Sequence, residues 1–362
     1  MLVDHEGVLT GEGGAGRLVG ILAAGLPLPD PYTVRVFAPL PVVGDLTERL
    51  ITVDQTNRSV VVGEQVVVKW MAEDSAAGRA PELLGHLAAV GFRRTLSLYA
   101  AVFSQHGLAA MVTEYLPEAS DGWDWCVDAV QAELAGAQAL GFAADLGELA
   151  ADLHAALATP SDIFPDPVVS GPLPGPGPAR ATLAEAIALT DGVDGEWLRA
   201  SEAQLSDQLI VSPGPDDVRQ IRIHGDLHVG QILRWRDGYA VIDFDGNPTL
   251  DGTAALQPAA RDVAQLLTSL EHVAQIAVNR STAPQSALAW ARCARRACLD
   301  AYTDRLSEHG KAELFDARLL RPYEIEQECR ELVYAARFLP RWRYAPMGVL
   351  RSWFAPEGDD TL

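Results

Sequence analysis

Lysine is nearly absent from this chain: of 28 basic residues, only Lys69 and Lys311 are lysines. A lysine kept at a strand end, where arginine is used almost everywhere else, marks a position that needs a compact point charge rather than a wide planar fork. Positive charge as a whole is short. With 49 acidic residues the formal net charge is −21, which argues against nucleic acid or an anionic membrane as a partner, since both are held by basic patches that displace counterions. A neutral or cationic small molecule is easily accommodated. Nothing near 18 consecutive apolar residues occurs, and the start MLVDHE lacks the basic region of a secretory signal, so a cytoplasmic protein is expected. Cysteine is scarce too. Cys126, Cys293, Cys298 and Cys329 show neither C-x-x-C pairing nor zinc spacing, which fits reduced, mostly buried thiols. At 362 residues a single core is exceeded and two lobes are expected.

What is present is concentrated in residues 221–247, IRIHGDLHVGQILRWRDGYAVIDFDGN. The alternating run 220–224 breaks at Gly225, which frees the backbone for a tight loop carrying Asp226 and His228. Two β-rich runs follow, 231–235 and 239–243, and the Asp237-Gly238 step between them is a strong hairpin signal. Closing that turn sets Gln231 opposite Asp243 or one residue away, with Cβ atoms about 5 Å apart across a pair. Two carboxylates and an amide oxygen then converge. Mg²⁺ takes oxygen ligands of this kind, from one or two carboxylates together with substrate phosphates.

A loop aspartate, an amide a few residues on and an aspartate at the end of the next hairpin form a pattern used in phosphoryl transfer. In HGDLH (224–228), Gln231 and IDFD (242–245), the chain resembles the aminoglycoside phosphotransferase family of small-molecule kinases. The resemblance implies an α+β, bilobal, protein-kinase-like fold with a cap segment, an antiparallel N-lobe sheet and a mainly helical C-lobe. It also implies ATP and Mg²⁺ as cofactors, Asp226 as catalytic base, and Gln231 and Asp243 as metal ligands. Most members carry Asn in place of Gln231; the Gln, with Asp245 after Phe244, is more similar to the maltokinase branch. Two other readings compete. One is a buried Gly-Asp turn with an ordinary hairpin behind it. The other is the GDxH metal motif of metallophosphoesterases, which needs further short His and Asn clusters that do not occur after Asn247.

The N-terminal lobe is expected over 1–115, with a cap at 1–45 and a nucleotide-covering sheet at 46–115. Gly11, Gly13 and Gly16 match G-x-G-x-x-G, but no strand precedes them and the lysine is more than fifty residues away, so a flexible loop is expected. LTERLITV (46–53), SVVVG (59–63) and QVVVKW (65–70) read as three successive strands, with Lys69 ending the third. By the kinase template Lys69 positions the phosphates, and the turn 54–58 with Ser59 covers them. A helix follows at 80–87 with Pro in its first turn; its Glu82 is either the ion-pair partner of Lys69 or an acid that favours the helix dipole. Strands are expected at 95–102 and 108–116. By resemblance, the backbone of Glu114 to Leu116 is the hinge that binds adenine.

The C-terminal lobe is expected over 116–362. Helical spacing marks 123–140 and 146–157, with His154 as a core histidine, and the Pro/Gly run within 159–180 is expected to be a mobile loop. Helices follow over 181–208, from 261 to 278, and over 286–306. Asp262 either braces the catalytic loop, as in the family, or is an exposed acid of a first turn; Asp300 is a substrate contact or a surface acid. In 322–346, Ile325, Cys329, Leu332, Ala336 and Leu339 recur at helical spacing as a buried stripe, beside Glu324, Glu328 and Glu331. Such acids are ordinarily a solvated face. Here they precede Trp342 and Tyr344, and sugars offer C–H faces to aromatics and hydroxyls or amines to acids. The R-x-x-P-x-W-x-x-x-P frame of Arg337, Pro340, Trp342 and Pro346 is shared with maltokinases, whereas Gln327-Glu328, Arg330-Glu331 and Trp342-Arg343-Tyr344 are similar to the actinobacterial glucosamine kinases. That resemblance implies transfer to the 6-hydroxyl of glucosamine, with Asp226, His228, Asp300, Glu328, Glu331, Trp342 and Tyr344 around the sugar. Its rivals are a maltokinase, an aminoglycoside phosphotransferase and, outside the class, a catalytically silent kinase-like binding protein.

Overall fold

The protein is described here by a computed structural model covering residues 11–51, 57–75, 79–136, 141–173, 175–212, 215, 217–246, 256–280 and 284–354. It divides into two compact units. The first comprises Met1–Ser120, Ser161–Pro165 and Leu233–Asp245; the second comprises Asp121–Pro160, Asp166–Ile232 and Gly246–Leu362. Among the described residues no helix is long and apolar enough to cross a membrane.

The first unit opens with α1 (Gly14–Ala23), β1 (Thr33–Val36), β2 (Glu48–Leu50), β3 (Arg58–Val62), β4 (Val66–Ser75), α2 (Arg79–Ala89), β5 (Leu98–Ser104) and β6 (Gly107–Glu114). The strands form one antiparallel sheet in the order β1-β5-β6-β4-β3-β2. β-Branched side chains drive it: Val60, Val62, Val66 and Val68 are buried in one cluster with Val102, Val112 and Ala15, Leu18 and Val19 of α1. Fully burying such side chains contributes about 1.5–3 kcal/mol each. The glycine-rich segment is not the flexible loop its spacing suggested. Its end is the start of α1, and the Glu48 carboxylate accepts the N–H groups of Gly13 (3.2 Å) and Gly16 (2.7 Å). A side-chain acid thus satisfies the orphan donors of the helix start. A second correction concerns Lys69. β4 continues to Ser75, so Lys69 sits within the strand, paired with Ser59 and Met111. Of the supposed phosphate-covering turn, 54–58, residues 54–56 lie outside the described residues.

The second unit begins with α3 (Gly122–Leu134), whose N-cap Asp121 accepts the Trp123 N–H at 2.8 Å. α4 (Gly141–Leu157), β7 (Val168–Pro172), α5 (Gly177–Leu189), α6 (Gly192–Gln208) and β8 (Asp217–Ile221) follow. The 159–180 segment was expected to hold no packed element, yet β7 pairs antiparallel with β8 from Val168↔Ile221 to Pro172↔Asp217. Pro172 and Pro178 fall where proline is tolerated: the last residue of a two-stranded ribbon and the first turn of a helix. The hairpin β9 (Ile232–Trp235) and β10 (Gly238–Val241) turns at Arg236-Asp237, as Asp-Gly spacing requires. Its residues from Leu233 belong to the first unit, where Val241 N–H donates to the Arg94 carbonyl at 2.9 Å.

The second unit then resumes with α7 (Ala260–Arg280), α8 (Pro284–Glu308), α9 (Leu320–Arg337) and α10 (Tyr344–Phe354). α4 packs on α8, α7 on α8, and α9 on α5, α7 and α10. α9 departs from the amphipathic stripe expected of it. Residues 322–329 are all buried, acids included, while Ala336 is exposed.

Candidate active site

The loop after β8 is held from behind. Gly225 takes φ +88°, a conformation only glycine adopts freely, and the chain reverses there. Asp262, fully buried in the first turn of α7, accepts the N–H of His224 at 2.7 Å and of Gly225 at 2.8 Å. His154 Nε2 lies 3.1 Å from the same carboxylate, and its Nδ1 lies 2.9 Å from the Tyr302 hydroxyl. Burial pushes the Asp262 pKa up, but the hydrogen bond and field of His154, with His224 and the Gly225 N–H, outweigh it and hold the carboxyl below its usual value. The exposed-acid reading of Asp262 is thereby set aside, and His154 is a core histidine.

Asp226 faces out of this loop with its side chain 18% exposed. Its Oδ1 accepts Gln265 Nε2 at 2.6 Å, and its Oδ2 lies 3.7 Å from His228 Nε2. Burial again opposes ionisation, and His228 and Gln265 prevail, so the pKa is lowered and the group is a carboxylate at neutral pH. His228 Nδ1 accepts the Gly230 N–H at 3.1 Å, which places the ring proton on Nε2, the atom toward Asp226. Gln265 was missed from sequence. Its signal was position: three residues beyond Asp262, it shares that helix face.

An aromatic wall continues from the loop within the same unit. The His228 ring stacks on Trp123 at 5.7 Å, and Trp123 meets Trp342 edge-on at 5.6 Å. Trp342 also packs against His272 (5.5 Å) and Tyr344 (6.0 Å), and its indole N–H donates to Glu331 Oε2 at 2.9 Å. Gln327 donates to the other oxygen of Glu331 at 3.0 Å. Close approach builds this wall: a Cβ on Gly122 would stand 1.6 Å from the Val229 carbonyl oxygen. Partly exposed, Glu331, Trp342 and Tyr344 are placed to meet a ligand. Two expected sugar contacts are not. Glu328 is 0% exposed and bonded to His272 Nε2 at 2.9 Å, because α9 is enclosed on all sides at that level. Asp300 is an exposed acid of α8 with no side-chain partner among the described residues.

In the first unit, Lys69 Nζ lies 2.6 Å from Asp243 Oδ1 and 2.6 Å from Asp245 Oδ2. Burial favours the neutral amine, but the two carboxylates outweigh it and hold the Lys69 pKa above the ordinary lysine value. Burial raises the pKa of Asp245; Lys69 offsets part of that and the neighbouring Asp243 adds to it. Asp243 has φ +65°, unusual for a residue with a side chain, and directs the IDFD turn. The partner proposed for Lys69 is replaced: Glu82 is exposed on α2, and both carboxylates come from beyond β10. Ser59, across the pair from Lys69, is buried. At the expected hinge, the N–H groups of Glu114 and Tyr115 donate to Ser97 and Gln65 carbonyls, both at about 2.9–3.0 Å. The Leu116 N–H has no partner among the described residues.

Gln231 ends the single 3₁₀ turn Val229–Gln231 ahead of β9. Asp226 and Gln231 thus belong to the second unit, and Lys69, Asp243 and Asp245 to the first. Within the first unit the donors suit Mg²⁺: the carboxylates of Asp243 and Asp245 are gathered on one ammonium as they would be on a cation. Among the described residues no cluster of three or more His, Cys, Asp or Glu forms a protein-only metal cage.

Residues 47–295 match the profile of the phosphotransferase enzyme family, APH. The chain belongs to that family. It is 42% identical over 355 residues to a glucosamine kinase of Streptacidiphilus jiangxiensis, spanning 93% of this chain and 80% of that protein. To a glucosamine kinase of Mycolicibacterium smegmatis (strain ATCC 700084 / mc(2)155) it is 38% identical, over 87% of this chain and 81% of the relative. A solved glucosamine kinase in complex with glucosamine, ADP and inorganic phosphate superposes with a TM-score of 0.77 at 37% identity, covering 95% of this chain and 83% of that one. The fold is therefore the α+β kinase fold of the aminoglycoside phosphotransferases, with an N-terminal antiparallel sheet and a helical C-terminal region.

Proposed function

We propose that this member of the phosphotransferase family is an ATP-dependent glucosamine kinase, transferring the γ-phosphoryl group to the sugar 6-hydroxyl. The observation that carries the reading is the pairing, inside one unit, of an ionised loop aspartate with an acid-and-indole wall. Asp226 is held by Gln265, and Trp342 is hydrogen-bonded to Glu331, with His228 and Trp123 between them. Glucosamine kinases at 38–42% identity over most of the chain support the choice of sugar.

In this reading Asp226 accepts the hydrogen bond of the 6-hydroxyl and takes its proton as the oxygen attacks phosphorus and ADP departs. His228, its Nε2 proton toward the same carboxylate, fixes which way Asp226 turns. The sugar's C–H face lies on Trp342, and its ammonium meets Glu331. Lys69 positions the phosphates, and the Leu116 N–H donates to the adenine ring. Gln231 and Asp243 would hold Mg²⁺, which when bound supplies neutralisation of charge on the transferring phosphates. Glu82 and Asp300 receive no part in the reaction, and Ser59 serves the sheet.

Purified protein with ATP and Mg²⁺ should phosphorylate glucosamine in preference to maltose or an aminoglycoside. Preferential phosphorylation of maltose would overturn the sugar assignment, and absence of transfer to every acceptor would overturn the kinase.

A further inference from the structure

Behind the indole of Trp342 lies a pair of groups that touches no reacting atom. Glu328 is fully enclosed, and its Oε1 has no hydrogen-bond partner among the described residues. Its Oε2 meets His272 Nε2 at 2.9 Å. The guanidinium groups nearby are taken by other acids: Arg295 by Glu271 (2.8 Å) and Glu324 (2.7 Å), and Arg321 by Glu324 (3.4 Å). Burial therefore raises the Glu328 pKa well above its usual value, with Glu331 and Glu324 adding to the effect. Burial also lowers the pKa of His272, and Glu331 and Glu271 only partly offset this. Burial thus pushes each partner toward its neutral form, and one hydrogen bond joins the two.

That imidazole packs edge-on against Trp342, whose N–H in turn donates to Glu331. Glu328 and Glu331 are three residues apart on α9, so Glu328, His272, Trp342 and Glu331 close a ring of contacts that starts and ends on one helix. We propose that the His272–Glu328 pair is a positioning device for the sugar subsite: it fixes the indole plane of Trp342 and, through it, the Glu331 carboxylate that takes the sugar's amine. This deepens the glucosamine reading and rests on it. A buried, half-satisfied hydrogen bond is costly to keep without a return. Here the return is orientation, because an indole packed against His272 and tied through its N–H to Glu331 loses the freedom to turn away.

The test compares His272→Phe, Glu328→Ala and Glu328→Gln in the full-length enzyme, each checked for a native circular-dichroism spectrum and melting temperature. His272→Phe keeps ring volume and the indole contact but loses the hydrogen bond. Glu328→Gln keeps a neutral partner for His272. His272→Phe and Glu328→Ala should raise KM for glucosamine at least tenfold, with KM for ATP and sugar-independent ATP hydrolysis within twofold of wild type, and Glu328→Gln should recover most of the loss. Folded His272→Phe protein with an unchanged glucosamine KM would overturn the proposal, as would equal losses in Glu328→Gln and Glu328→Ala. A wild-type enzyme that ignores glucosamine would instead overturn the functional reading on which the proposal rests.

Discussion

The Asp262 carboxylate accepts the backbone N–H groups of both His224 and Gly225, so a helix residue 37 positions beyond Gly225 sets the shape of the loop that carries Asp226. Removing it leaves buried donors without partners, at about 1–3 kcal/mol for each. Asp262→Ala should lower the melting temperature and reduce kcat together. The pH dependence follows from the sign of its shift. A carboxyl whose folded pKa lies below the unfolded value, about 3.9, stabilises fully above that value and loses the contribution as pH falls through the folded pKa. Denaturant titrations from pH 6 downward should therefore show an acid-side loss in wild type, smaller in Asp262→Asn.

Asp226→Asn keeps the size of the side chain and removes the proton acceptor. kcat should fall by about 10²–10⁴, with KM for ATP and the melting temperature little changed. Steady-state kinetics of the folded variant decide it, and near wild-type turnover would remove Asp226 from the reaction.

Gln265→Ala withdraws a donor from ionised Asp226, and a hydrogen bond to the charged form is one of the causes holding that pKa down. The acid limb of the kcat/KM profile should move to higher pH. A limb at the wild-type position would show that Gln265 does not tune the base.

Glu271 behaves in the opposite sense to Asp262. Burial pushes its pKa up to about 7, Arg295 partly countering and Glu324 and Glu328 adding. The folded state then holds a proton that the unfolded state has released, so stability declines as pH rises from about 4.5 to about 7. Glu271→Gln should flatten that slope and raise the melting temperature at pH 8 relative to wild type.

Glu331→Gln retains a partner for the Trp342 indole and removes the charge. kcat/KM for glucosamine should fall at least tenfold while KM for ATP holds, and an unchanged kcat/KM would exclude an acid–amine contact.

The loop carrying Asp226 and the hairpin after it could be read from sequence because their determinants are local: Gly225 and Asp237-Gly238 dictate backbone shape within a few residues. Lys69 stood out by rarity. Its partners did not, because Asp243 and Asp245 lie 174 and 176 residues away, whereas Glu82 was near in sequence and won on proximity alone. Gln265 and His272 went unseen since a polar residue on a helix looks the same whether it meets water or a buried carboxylate. Periodicity failed on α9 for a related reason: a helix surrounded by other helices buries every face, and its buried acids pair with arginines and a histidine from elsewhere in the chain. The glycines before α1 carried a phosphate-loop spacing, yet Glu48 supplies the negative charge at that helix start.

Enclosure of 322–329 bears on how the acceptor range of such an enzyme could change. Exchanges there disturb several neighbours at once, and a drift toward larger or uncharged acceptors would have to begin at Trp342 and Tyr344, where side chains still reach water. Variation within the helix can follow only in matched sets.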